Sequence, residues 1–297
     1  MFSLSGDPRP NYREAPLIRY DVAFAKLTPP MQTEGKVILI TGASEGIGAA
    51  CARLFRARGA RICLTARSED KLRTLAGPRD LVIPANLTEP GAPARIVETA
   101  LSHFGTIDVL INNAGAGLYT PAHSGTDADA RRLFDLNVFA PLDLIRNVAP
   151  HMKRRGSGSV VNISSIAGMV ALPWFTMYSA TKAAMISMTN GLRIELRNSG
   201  IHCMTVCPGY VRTNFQHNLL AGTVPPALGP MKQRWSISAD QCAVAVLRGI
   251  DRQARTVVTP ASGWLLVAAA SMFPRLVDRQ LESIWLRESR QSEESQP

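Results

Sequence analysis

The sequence predicts an α/β fold: one doubly wound domain with a parallel sheet of about seven strands and helices on both faces. Two observations carry this prediction. From Gly35 onward, short β-rich apolar runs alternate with longer segments of helical period, the signature of repeated strand–helix–strand units. The runs are also apolar at successive positions, as strands buried on both faces must be.

Residues 1–34 carry Asp7, Arg9, Arg13, Glu14 and five prolines, with no apolar run long enough for the centre of a signal peptide. They read as an irregular leader. Strands are expected at 36–41, 60–65, 81–84, 107–112, 158–164, 201–206 and 256–259. Helices are expected at 46–58, 89–104, 137–155 and 176–198, the last closed by Ser199-Gly200 as a helix stop. No repeat, low-complexity block or linker interrupts 35–260, which is therefore expected to be a single domain. Segment 214–238 holds Gly222, Pro225, Pro226, Gly229 and Pro230 with little periodicity and reads as a substrate loop or lid. In the 261–297 extension, Leu276, Val277, Leu281, Ile284 and Trp285 fall at helical spacing opposite Arg275, Arg279, Glu282 and Arg287. The Ser/Glu/Gln end that follows is expected to be disordered.

Composition excludes several classes. A chain that is 46% hydrophobic and 19% charged is too apolar for intrinsic disorder. The net charge of +10 is spread over scattered arginines, only six of the 33 basic residues being lysines, so no nucleic-acid partner is expected. Five cysteines without regular spacing argue for a reducing compartment, hence a cytoplasmic protein. The longest uncharged apolar run, 264–274, is about half of the roughly 20 residues that a bilayer-spanning helix needs.

The chemistry begins at Thr41-Gly42-Ala43-Ser44-Glu45-Gly46-Ile47-Gly48, between the first strand and the first helix. Glycines there allow a tight turn and close approach of a pyrophosphate, whose charge meets free N–H groups and the positive end of the helix dipole. This is a Rossmann-type dinucleotide site. The second strand ends in Thr65-Ala66-Arg67-Ser68, without the acid that would accept from a ribose 2′-hydroxyl. Arg67 is instead suited to a 2′-phosphate. NADP(H) is therefore expected over NAD(H), although the Glu45 carboxylate opposes a phosphate and keeps NAD(H) open.

Tyr178 and Lys182 stand four apart on an expected helix, on one face. A phenol acting near neutrality needs its pKa lowered by about three units, or about 4 kcal/mol, a field that Lys182 and an oxidised nicotinamide could together supply. Such a pair means little alone. Here it stands with Ser165 at the end of the fifth strand, Asn112-Asn113-Ala114-Gly115 at the end of the fourth, and Asn137 at the expected start of the next long helix.

With these motifs in order, residues 35–260 resemble the short-chain dehydrogenase/reductase family, in the group with TGxxxGxG, NNAG, Ser and YxxxK motifs. The resemblance implies that Tyr178 exchanges a proton with the carbonyl oxygen and Ser165 hydrogen-bonds that oxygen. Lys182 would bind the nicotinamide ribose and lower the tyrosine pKa, and Asn137 would hold a water linking Lys182 to solvent. Pro208-Gly209-Tyr210-Val211-Arg212-Thr213 resembles the turn that receives the nicotinamide amide, with Thr213 the contact and a simple helix cap its alternative role. By the same resemblance Asn86 accepts from the adenine amino group, and Asn113, Ala114 and Gly115 line the adenine ribose side. The helices from Asn137 and Thr176 would pack against their copies in a homodimer or homotetramer.

Cys203 and Cys207 read as core thiols, and the five histidines lack ligand spacing, so no metal is expected. His217 reads as a solvated loop residue. Leu118, Tyr119, Met169, Val170, Leu172, Trp174, Phe175, Tyr210 and Phe215 follow strand ends and favour a hydrophobic ketone or secondary alcohol as substrate. The amphipathic extension is either a flap on this pocket or a peripheral membrane contact. Competing with the oxidoreductase is a non-catalytic dinucleotide sensor of the same fold, which would not need Asn137, Ser165, Tyr178 and Lys182 together.

Overall fold

A computed structural model of the chain describes residues 33–223 and 236–294. Most of the leader and the middle of the 214–238 loop lie outside these residues, and nothing is described of the His217 side chain. The main sheet holds β1 (Val37–Thr41), β2 (Arg61–Ala66), β3 (Leu81–Pro84), β4 (Val109–Asn112), β5 (Gly158–Ile163), β6 (Ile201–Pro208) and β9 (Thr256–Thr259). Their order is β3-β2-β1-β4-β5-β6-β9, every pair parallel. A parallel pair of two-residue strands, β7 (Val211–Arg212) and β8 (Ile237–Ser238), draws the two ends of the 214–238 loop together.

All five residues of β1 are buried, which puts an apolar layer on each side of the sheet. Ile38 and Ile40 face α1 (Gly46–Ala57), where Phe55 is fully buried, and α7 (Ala239–Asp251), where Val246 is. Val37 and Leu39 face α3 (Ala92–Phe104), α5 (Ala140–Arg155) and α6 (Thr176–Glu195), whose Ile96, Leu144 and Met188 complete the second layer. Each fully buried Leu, Ile or Phe contributes about 1.5–3 kcal/mol relative to exposure. A short α2 (Glu69–Leu75) joins β2 to β3.

Several boundaries differ from the sequence expectation: β4 starts at Val109 rather than 107, and α6 ends at Glu195, short of the expected Ser199-Gly200 stop. The helix expected at 89–104 starts at Ala92, because Gly91 sits at φ 74 and caps it in the left-handed region. The helix expected from Asn137 starts ten residues earlier: α4 (Asp127–Phe134) runs through a π turn (Asp135–Phe139) into α5. Thr126 caps that start by accepting from the Asp129 N–H, 3.1 Å, and the polar run Asp127–Arg132 conceals the apolar period. The extension forms two helices, α8 (Gly263–Met272) and α9 (Pro274–Glu294).

All five cysteines are free and buried, and burial pushes every thiol up. Cys203 rises to about 11, Cys63, Cys207 and Cys242 to about 12, and Cys51 further.

Candidate active site

The strand order reverses between β1 and β4, and ligands of open parallel sheets bind beyond the strand ends at such a point. A cleft of about 1010 Å³ lies there. Gly42, Ser44, Glu45, Gly46, Ile47, Arg67, Asn86, Asn113, Ala114, Gly115, Ser165, Tyr178, Lys182, Pro208, Gly209, Val211 and Thr213 all line it. The glycine turn is shaped for close contact. Gly42 stands at φ 62, and a Cβ on it would come within 2.8 Å of the Ala114 Cα. The Asn113 side chain ties this turn down by donating to the carbonyls of Thr41 (2.9 Å) and Gly42 (3.1 Å). Glu45, the residue before α1, makes no side-chain cap to the helix, so the first N–H groups of α1 face the cleft without a protein acceptor from it. A dinucleotide pyrophosphate fits this cradle.

Two residues expected in the site stand behind it. Gly48 does not line the cleft; a Cβ on it would lie 2.4 Å from the Gly42 carbonyl oxygen, so its absence lets helix and turn meet. Asn137 is 1% exposed. Its side chain accepts from the Ala116 N–H (3.0 Å) and donates to the Ala116 carbonyl (3.0 Å) and the Thr181 hydroxyl (3.1 Å). Rather than opening a helix, it sits in the π turn and joins the β4 loop to α6.

The remaining polar groups converge from three elements. Ser165 accepts from the Ala167 N–H, 3.1 Å, at the start of a single 3₁₀ turn (Ile166–Gly168). That turn presses on α6, since a Cβ on Gly168 would lie 2.6 Å from the Lys182 carbonyl carbon. Ser164, on the adjacent position, donates to the Lys182 carbonyl, 2.7 Å. The Ser165 hydroxyl lines the same cleft as Tyr178, near enough to favour the phenolate. Lys182 donates to the Ile163 carbonyl, 3.0 Å, and its Nζ lies 5.5 Å from the centre of the Tyr178 ring.

Electrostatics depart from the sequence expectation. Burial pushes the Tyr178 phenol above its ordinary range despite the opposing effect of Ser165. It lowers Lys182 to about 8. Both groups are nearly enclosed, so desolvation, which disfavours their charged forms, outweighs the attraction between ammonium and phenolate that the spacing suggested.

Tyr178 stands in an aromatic row: Tyr119 stacks on Phe175 at 4.1 Å, Phe175 on Tyr178 at 4.0 Å, and Phe215 meets Tyr178 edge-on at 5.7 Å. Tyr119, Phe175, Tyr210 and Phe215 line the cleft; Leu118, Met169, Val170, Leu172 and Trp174, also expected there, do not. Leu118 and Val170 are core residues. Trp174 is covered by Trp285 of α9 at 4.6 Å.

At the other end, Glu45 is already satisfied. The Asn218 amide donates to it at 2.6 Å and Lys71 pairs with it at 3.3 Å. Burial pushes the carboxyl up, but these bonds outweigh it and hold the pKa below the usual value. Sequence reasoning missed Lys71, which lines the cleft with Arg67 and Ser68. Its signal was available, one of only six lysines standing just after the second strand. The Asn86 amide oxygen is taken by the Thr88 hydroxyl (2.9 Å) and N–H (3.3 Å), which compete with an adenine. Thr213 accepts from the Phe215 N–H, the helix-cap role set beside the nicotinamide contact. Among the described residues no cluster could hold a metal ion.

Residues 36–223 match the short chain dehydrogenase family. The chain is 32% identical over 257 residues to a ketoacyl reductase, HetN, of Nostoc, covering 82% of this chain and 88% of that protein. It is 32% identical over 265 residues to a dehydrogenase/reductase SDR family member 7B of Danio rerio, covering 84% and 85%. Solved structures share the fold. A short chain dehydrogenase/reductase of Burkholderia phymatum in complex with NAD superposes with a TM-score of 0.75 at 25% identity, covering 82% of this chain and 96% of that one. One of Burkholderia cenocepacia in complex with NADP superposes at 0.71 and 29% identity, covering 84% and 99%.

Proposed function

This chain belongs to the short chain dehydrogenase family, and from that premise we propose that it interconverts a hydrophobic ketone and the secondary alcohol with NADP(H) as coenzyme. When bound, the nicotinamide supplies or accepts hydride at the carbonyl carbon. In reduction, Tyr178 gives its hydroxyl proton to the carbonyl oxygen, so that hydride and proton together make the alcohol; oxidation returns both. Ser165 orients that oxygen through its hydroxyl. Lys182, buried beside Tyr178, holds the nicotinamide ribose. Asn137 acts as a positioning residue, fixing Ala116 against Thr181.

The observation that carries this reading is the convergence of Ser165, Tyr178 and Lys182 on one cleft, with the Lys182 Nζ 5.5 Å from the Tyr178 ring. At neutral pH the buried Tyr178 phenol carries the proton that reduction requires. NADP(H) over NAD(H) is supported by Arg67 and Lys71 on the cleft wall and by the neutralised Glu45. The aromatic row supports an apolar substrate. Assembly as a homodimer or homotetramer is supported by Phe139 and Ile194, exposed apolar residues on the π turn and on α6.

Tyr178→Phe tests the acid/base role. Turnover of a panel of hydrophobic ketones, followed by NADPH consumption, should fall at least about a thousand-fold, while NADPH affinity changes little. Retained turnover would refute the role. A chain that binds NADPH but turns over no carbonyl compound would favour the dinucleotide sensor instead.

A further inference from the structure

Ten large hydrophobic side chains are exposed among the described residues, and seven of them lie between 264 and 286. The helix α8 has no buried residue, and Leu265 on it is 74% exposed. No Asp, Glu, Lys or Arg occurs from 256 through 274. A surface helix of a water-soluble domain keeps one apolar stripe and one polar face. In Gly263–Met272, GWLLVAAASM, no face is polar.

We propose that α8 and the turn into α9 insert into one leaflet of an anionic lipid bilayer, anchoring the protein at the membrane surface. A second copy of the chain would cover one side of this helix, whereas its apolar residues point in every direction and call for an enveloping apolar medium. Ten helical residues span about 15 Å, half of the ~30 Å hydrocarbon core. No described helix is long and apolar enough to cross a membrane. The helix therefore enters without spanning. Trp264 at its start suits the headgroup boundary, where indole rings concentrate. Beyond Phe273 and Pro274, the exposed Arg275 and Arg279 return the chain to water and reach anionic headgroups, with Asp278 and Glu282 on the same helix.

This anchor is fastened to the proposed catalytic cleft. Trp285 of α9 lies on Trp174, next to Phe175 in the cleft wall. Resting on the activity proposed above, this attachment gives a carbonyl compound dissolved in the bilayer a short route to Tyr178.

Flotation of the purified full chain with vesicles tests the anchor without reference to turnover. The chain should float with vesicles of phosphatidylcholine and phosphatidylglycerol in equal parts, and less with phosphatidylcholine alone. Leu265→Glu/Leu266→Glu should bind at least about ten-fold more weakly, and Phe273→Ser should also bind more weakly, each with an unchanged circular dichroism spectrum. Two results would overturn the proposal. One is a wild-type chain that stays with the soluble fraction, or variants that float as well as it does. The other is a wild-type oligomer that dissociates in the double variant without vesicles, which would make the segment an interface between copies. If the chain floats yet reduces no ketone, the anchor stands and the proposed activity fails.

Discussion

Lys71 alters the balance at the adenosine end of the cleft. Glu45 alone would repel a 2′-phosphate, but Lys71 at 3.3 Å and Asn218 at 2.6 Å occupy its carboxylate. A charge-assisted hydrogen bond contributes about 1.5–3 kcal/mol. Arg67→Ala and Lys71→Ala should therefore each weaken NADPH about ten-fold or more while changing NADH less than about two-fold, read by fluorescence titration of each coenzyme. Equal loss for both coenzymes would remove these cations from the phosphate site. At this scale the sequence showed the groups but not their environment. Spacing along the chain singled out Ser165, Tyr178 and Lys182, and the fold brings all three to one cleft. Lys71 meets Glu45 from 26 positions away, and Asn137 meets Thr181 from 44. The direction of the Tyr178 shift depends on how much of the chain encloses the phenol, which spacing does not encode.

Elements differ in how plainly the chain announces them. The seven main strands were legible because a parallel strand covered on both sides leaves an unbroken apolar run. The α4 lead-in to the helix expected at 137–155 was not, since α4 keeps only Leu133 buried and is otherwise exposed or half-exposed. The joint between turn and α1 yields its own prediction. Because a Cβ on Gly48 meets the Gly42 carbonyl oxygen at 2.4 Å and the Asn113 amide, itself tied to Thr41 and Gly42, at 2.6 Å, Gly48→Ala must push the helix away from the turn. The expected cost is about 1–3 kcal/mol, seen as a lower melting temperature, with dinucleotide affinity reduced about ten-fold. A variant that melts and binds like the wild type would show that the turn tolerates the methyl group.

For the whole molecule, the buried thiols set the response to alkali. Each has a folded pKa above its ordinary value of 9. Above pH 9 the unfolded chain therefore releases protons that the folded chain retains, and stability falls as pH rises. Each thiol contributes up to about 1.4 kcal/mol per pH unit. Lys182 works the other way: with its pKa lowered to about 8 from 10.5, it adds stability between those values. Five thiols against one amine predict a net loss from pH 9 upward, which Tyr119 and Tyr178, also raised by burial, deepen above pH 10; urea unfolding midpoints at pH 7.5, 9 and 10.5 check it, and an unchanged or rising midpoint would contradict the burial of these groups. The extension was legible as helical, but not its lack of cover, because amphipathic spacing indicates a face without identifying what meets it. The enclosed cysteines leave native protein nearly inert toward maleimides. A Leu265→Cys substitution would thus carry a solitary fluorophore, turning the apolar hairpin into an optical gauge of its own immersion depth.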